Sequence, residues 1–286
     1  MRGLFTASYL AGLERALGAR MIDLVDLVVG TSTGGIIAVG LASGRSAEEM
    51  LGFYLEYGPK IFRRPRPFPI WLFRPRYNRR PLDEALQDHF GEMKMNELQK
   101  HVCITAHELI TGNTRVFKDD HHPDLHWGGD QLVWRVAAAT STKLLRTDAA
   151  GLAGQSRRRR YLGEQSGVGR YYRGPPLLRG QPRRRSPPLR RHDLPRLPDG
   201  EPSRASTMGW FGWAQKVMEL LQGTVSMASD RQARLLLADG HYLRADNATA
   251  ERIPFDDVER CRPLQELGEQ EARDTLQRVK QVLALP

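Results

Sequence analysis

Gly30-Thr31-Ser32-Thr33-Gly34 reads G-x-S-x-G, the spacing in which a serine sits on a sharp strand-to-helix turn. A serine hydroxyl attacks an ester carbonyl well only when it stands clear of the backbone and a base takes its proton. Glycines at both flanks suit such a turn, because a Cβ there clashes as the chain doubles back. The five residues alone are a weak signal; the mechanism also demands an apolar strand before them and a helix after. Both are present, as "DLVDLVV" before and "GIIAVGLA" after. Ser32 is therefore the expected nucleophile, near the positive end of the following helix. Gly30, Thr31, Thr33 and Gly34 form its elbow. The alternative is an ordinary strand–loop–helix junction.

Other chemistry-bearing residues are less organised. Cys103 and Cys261 are the two cysteines of the chain; far apart and without metal-ligand spacing, they are expected as buried free thiols in a reducing compartment. Asp119, Asp120, His121, His122 and Asp124 crowd one stretch but lack a ligand spacing, so a solvated loop and no metal is expected. Asp23 and Asp26 read as capping or surface acids. Trp210 and Trp213 read as core anchors.

The elements that must position Ser32 follow from periodicity. Leu4, Tyr9, Leu10, Leu13 and Leu17 lie at helical spacing,. A buried strand is expected over 23–30 and a helix over 36–42. Ser46, ahead of Glu48 and Glu49, is a candidate N-cap,. Residues 63–80 are Pro-broken, basic and aromatic, a loop that could touch lipid headgroups. Strands are expected over 101–110 and 114–119 around a turn with Thr111, Gly112 and Asn113. A helix is expected over 131–141. Further on, 200–223 reads as an amphipathic helix, 233–245 as a hairpin turning at Asp239-Gly240, and 271–285 as the last helix. The domain reading is an α/β hydrolase core over 1–141, an anomalous segment over 142–199, and a helical and hairpin portion over 200–286. Without a long apolar run or a cleavable leader, the expectation is a cytoplasmic protein.

"RGLFTASYLAGLE", "DLVVGTSTGGIIAVGLASG", "YGPKIF" and "VWRVAAATS" together resemble the patatin-like phospholipases. The resemblance implies a three-layer α/β/α fold around a central, mostly parallel sheet, incomplete in this chain. It implies a Ser–Asp dyad without histidine that hydrolyses acyl esters of lipids and needs no cofactor. The substrate would be a lipid or another acyl ester, with transient contact at a membrane surface. In the family the aspartate lies in Asp-Gly-Gly or Asp-Gly-Ala and acts as base, and a loop of the form D-G-G-G-x-R-G offers N–H groups to the oxyanion. The chain departs from this pattern twice. Arg2 and Gly3 are what it holds of the glycine loop, and neither aspartate motif occurs anywhere in it.

The second departure coincides with a change of character. The net charge is +10, and residues 142–199 alone carry fourteen arginines and one lysine against four carboxylates. The rest of the chain is close to neutral. A solvated polyanion-binding tail would explain such a segment; so would a GC-rich gene read out of frame. The genetic code separates the two. Taking the last two nucleotides of each codon with the first of the next, "TKLLRT" permits Pro, Ser or Asn, Tyr or Phe, Phe, Glu, Pro. "RRRRYLGEQSG" permits Asp-Gly-Gly-Ala-Ile-Trp-Ala-Asn-Asn-Pro-Ala, and "VGRYYRG" permits Leu-Val-Ala-Ile-Thr-Glu-Ala. These resemble the family's segment around its aspartate, in order. The expectation is a frameshift from near Ser141 or Thr142 to near Gly200, with the dyad aspartate encoded across Arg157 and Arg158. Three functions stand open: a lipid acyl hydrolase acting through Ser32, a catalytically defective relative, and a polyanion-binding protein without specificity for one nucleic acid.

Overall fold

The computed structural model describes residues 3–63, 77–107, 114–119, 128–141, 228–237, 241–245 and 261–285. The chain divides into two compact units, one of residues 1–157 with 245–286 and one of residues 158–244.

In the first unit, helix α1 (Gly3–Leu17) buries Leu4, Ala7 and Ala11 along one stripe and Leu13 on another face. A short 3-10 turn (Met21–Leu24) leads to strand β1 (Leu27–Thr31). The strand thus starts four residues later than its apolar run suggests, after the turn that an exposed Arg20–Asp23 ion pair spans. Helix α2 (Thr33–Ala42) is buried on all sides from Gly35 onward, as its uninterrupted apolar sequence demands. Ser46 caps helix α3 (Ala47–Ile61) in a full capping box with Glu49,. Helix α4 (Arg80–Phe90) was not foreseen; Pro81 in its first turn and the spacing of Leu82, Ala85, Leu86 and Phe90 are its signals,.

Strands β2 (His101–His107) and β3 (Thr114–Lys118) complete a sheet of order β1-β2-β3. β1 pairs with β2 in parallel, Leu27 opposite His101 and Thr31 opposite Thr105. β2 pairs with β3 antiparallel. This is α/β with a mixed, incomplete sheet. Val102, Ile104 and Phe117 face the helices and are almost wholly buried. The opposite face is open among the described residues: Leu27 is 49 %, Val29 62 % and Val116 41 % exposed. Helix α5 (Val133–Thr140) packs against the covered face.

The last helix, α6 (Cys261–Val282), begins ten residues before the expected start and returns to α1. Small residues let the two backbones meet: a Cβ on Gly268 would stand 2.6 Å from the Phe5 carbonyl oxygen, and one on Gly12 2.8 Å from Ala272. Ser8 donates to the Gln265 carbonyl, and the Tyr9 and Thr275 hydroxyls pair in the buried seam. Cys103 and Cys261 are free, as expected, but half-buried rather than buried. One lies on the open face of the sheet and the other at a helix start.

In the second unit, residues 228–236 are helical, so the expected hairpin over 233–245 is not formed there. The run Leu235-Leu236-Leu237 imitated a strand, but an Arg234–Asp230 ion pair one turn apart fits a helix,. Asp239 and Gly240 lie outside the described residues, as do Trp210, Trp213 and the expected turn at 111–113.

Candidate active site

Ser32 stands between the end of β1 and the first turn of α2 with φ 57° and ψ −127°. Among the described residues, Ser32 and Ala284 are the non-glycine residues with left-handed φ. A side-chain-bearing residue held there costs about 1–3 kcal/mol and persists only where its surroundings impose it. The imposing contacts are visible. A Cβ on Gly30 would lie 2.5 Å from the Gly34 carbonyl oxygen, so the penultimate residue of β1 must be glycine for the helix to fold back over it. Gly34 itself faces open space. The second steric demand falls instead on Gly35, where a Cβ would meet Thr140 Cγ2 at 2.7 Å. Thr31 lends the turn its hydroxyl, paired with that of Thr105 on β2.

Two residues outside the motif hold the elbow. The Ser32 N–H donates to Thr140 Oγ1 at 2.7 Å, and the Thr140 hydroxyl donates to the Thr105 carbonyl at 2.7 Å. The last residue of α5 thus bridges nucleophile and neighbouring strand, and Thr140 is buried. From α3, the Tyr54 phenol donates to the Thr33 carbonyl at 2.7 Å; burial pushes this phenol well above its usual pKa, keeping it a donor. Gly3, at the start of α1, packs against the same point: a Cβ there would stand 2.9 Å from Thr33 Cβ. Arg2 lies outside the described residues, and so do Arg157 and Arg158.

Among the described residues the Ser32 hydroxyl makes no hydrogen bond, and no carboxylate or imidazole reaches it. Among the described residues an acid–imidazole pair lies at the other end of the sheet. His101 Nδ1 and Asp119 Oδ2 are 2.6 Å apart, and Asp119 also accepts from the Val102 N–H. Burial acts to raise the Asp119 pKa, yet the Val102 N–H and His101 outweigh it and hold this carboxyl below the usual range. His101 sits opposite Leu27, five residues along the strand from Ser32 or about 16 Å. A cleft of about 450 Å³ there is lined by Asp26, Gln99, Lys100, His101 and Asp119. No group of three or more metal-ligating side chains occurs among the described residues; His121, His122, Asp120 and Asp124 lie outside them.

The model of the patatin-like phospholipases matches residues 1–143 of this chain. This chain belongs to the patatin-like phospholipase family. It is 37 % identical over 157 residues to a cGAMP-activated phospholipase of Vibrio cholerae, covering 49 % of this chain and 44 % of that one. It is also 37 % identical to the 85/88 kDa calcium-independent phospholipase A2 of Rattus norvegicus, over 49 % of this chain and 19 % of the other. Patatin-like protein 4 of Arabidopsis thaliana is 33 % identical, over 42 % and 35 %. The chain spans less than half the length of these patatin relatives.

Within this patatin-like fold, sequence reasoning missed Thr140, Tyr54 and Gly35. Thr140 and Tyr54 are polar side chains within apolar helix faces, which is a signal. Their convergence on one loop depends on how α3 and α5 pack.

Proposed function

We propose that the chain carries the nucleophile of a lipid acyl hydrolase. Ser32 Oγ attacks the ester carbonyl, the alcohol leaves with the proton that the hydroxyl gives up, and water then releases the acid and returns a proton to Ser32 Oγ. The oxyanion takes the N–H of Thr33, at the positive end of α2, beside the start of α1 marked by Gly3. The observation that carries this reading is the backbone of Ser32, held at φ 57° by buried contacts that serve no packing need of the serine itself. The relatives' names as phospholipases point to acyl esters of lipids. The basic–aromatic residues 63–80 suit brief contact with a lipid surface, and no described helix is long and apolar enough to cross a membrane. We place the protein in the cytoplasm, with no cofactor.

A second reading rests on the Ser32 hydroxyl, which meets no base among the described residues: the chain as written is catalytically silent. Removing the base of a serine hydrolase costs about 10⁶-fold in rate. Hydrolysis of a fatty-acyl p-nitrophenyl ester by the purified chain, beside Ser32→Ala, separates the two. Turnover lost in Ser32→Ala supports an active enzyme; equal, background-level hydrolysis by both supports the silent one.

A further inference from the structure

A buried tyrosine on α3 makes a contact at the elbow that packing alone does not require. Tyr54 is 6 % exposed, and its ring meets Phe53 edge-on with 5.7 Å between centroids. A phenylalanine would fill that space with no polar atom to satisfy, since a buried hydroxyl costs stability unless it is hydrogen-bonded. The Tyr54 hydroxyl makes its bond outside its own helix, to the Thr33 carbonyl at 2.7 Å. Thr33 is the first residue of α2 and directly follows the nucleophile.

Consecutive peptide units around Ser32 are each held. The first carries the Ser32 N–H, which donates to Thr140 Oγ1 on α5. The second carries the Ser32 carbonyl, which accepts from the N–H groups of Gly35 at 2.9 Å and Ile36 at 3.3 Å. The third carries the Thr33 carbonyl, held by Tyr54 from α3. The second and third units also carry the N–H groups of Thr33 and Gly34. These are open donors of the first helical turn, where no intrahelical acceptor exists. A Cβ on Gly34 would meet nothing within 4 Å, which leaves room for a ligand atom on that side. Tyr54 acts on both donors. It fixes the residue that carries the first, because the peptide beyond it is no longer free to rotate. It strengthens the second, because a peptide whose carbonyl accepts a hydrogen bond is polarised toward donating from its N–H. Gly3 closes the arrangement from α1: a Cβ there would stand 2.9 Å from Thr33 Cβ and 3.0 Å from Tyr54 Cζ.

We infer that Tyr54 is a positioning residue for acyl transfer at Ser32, its hydroxyl holding the Thr33 and Gly34 N–H groups in the orientation that receives the oxyanion. The inference rests on the hydrolase reading. Preorganised donors stabilise developing charge without rearranging during the reaction, and loss of a whole donor costs about 10²- to 10³-fold in rate. Loss of the Tyr54 hydroxyl loosens donors and removes none, so its effect is smaller.

The test uses the full chain and an alkyl boronic acid, followed by boron NMR. The boron accepts the Ser32 oxygen and becomes a tetrahedral anion, in the shape of the acyl-transfer intermediate. Water takes up the Ser32 proton, so the adduct needs no base from the protein. Ser32→Ala sets the background. Tyr54→Phe should bind the boronic acid about tenfold more weakly than the parent, a fraction of the loss of a whole donor, with an unfolding midpoint close to the parent's. Phe53→Leu should lower that midpoint and leave the affinity unchanged. Parent-like affinity in Tyr54→Phe overturns the inference while the hydrolase reading stands. An equal loss of affinity in Phe53→Leu also overturns it, by tracing the effect to a loosened α3. A Tyr54→Phe chain that fails to fold makes the hydroxyl a requirement of the core and overturns it too. A parent that binds no better than Ser32→Ala overturns the hydrolase reading and the inference together.

Discussion

Ser32 and Thr140 form one unit, a strained serine whose N–H is held by a buried hydroxyl. Thr140→Val keeps the shape and removes the acceptor, leaving the Ser32 N–H unsatisfied. We expect a loss of about 1–3 kcal/mol in urea unfolding, with Thr140→Ser close to the parent. Equal stability of all three would refute the clasp. His89 offers a different residue-scale prediction. Burial first, and the nearby Arg45 second, lower its pKa to about 4, and its Nε2 finds no partner among the described residues. Between pH 6.5 and 4 the unfolded chain takes a proton here that the folded chain refuses. Stability therefore falls as pH drops through that window, by on the order of 2 kcal/mol. Thermal midpoints from pH 7 to 4.5 should decline less in His89→Gln than in the parent.

At the scale of elements, the helices and strands around Ser32 were legible because each announces itself locally. β1 is a β-branched run, α2 a continuous apolar stretch, and Ser46 with Glu49 a capping box. The hairpin expected over 233–245 failed for the same local reason: three leucines in a row do not distinguish strand from helix, and Asp230, which pairs with Arg234, lies before that stretch. Residue contacts across elements, such as Tyr54 on Thr33 and Thr140 on Ser32, were not legible. They depend on packing angles that no single segment encodes. The α1–α6 seam belongs here too. Gly268→Val would force a branched side chain against the Phe5 carbonyl and should cost about 1–3 kcal/mol in chemical unfolding. A silent substitution would mean that α6 is a loose appendage rather than part of the core.

At the scale of the whole molecule, one segment sets the charge. Most of the net +10 comes from residues 142–199, so the chain as written should bind heparin or RNA without sequence preference. That affinity should fall steeply with salt and survive Ser32→Ala. Binding that salt leaves unchanged would refute it. The sheet face carrying Leu27, Val29 and Val116 is open among the described residues. The most direct measurement is hydrolysis of a fatty-acyl ester by the purified chain beside its Ser32→Ala variant. The account predicts turnover by the parent that falls to background in Ser32→Ala. Equal, background-level hydrolysis by both would contradict it.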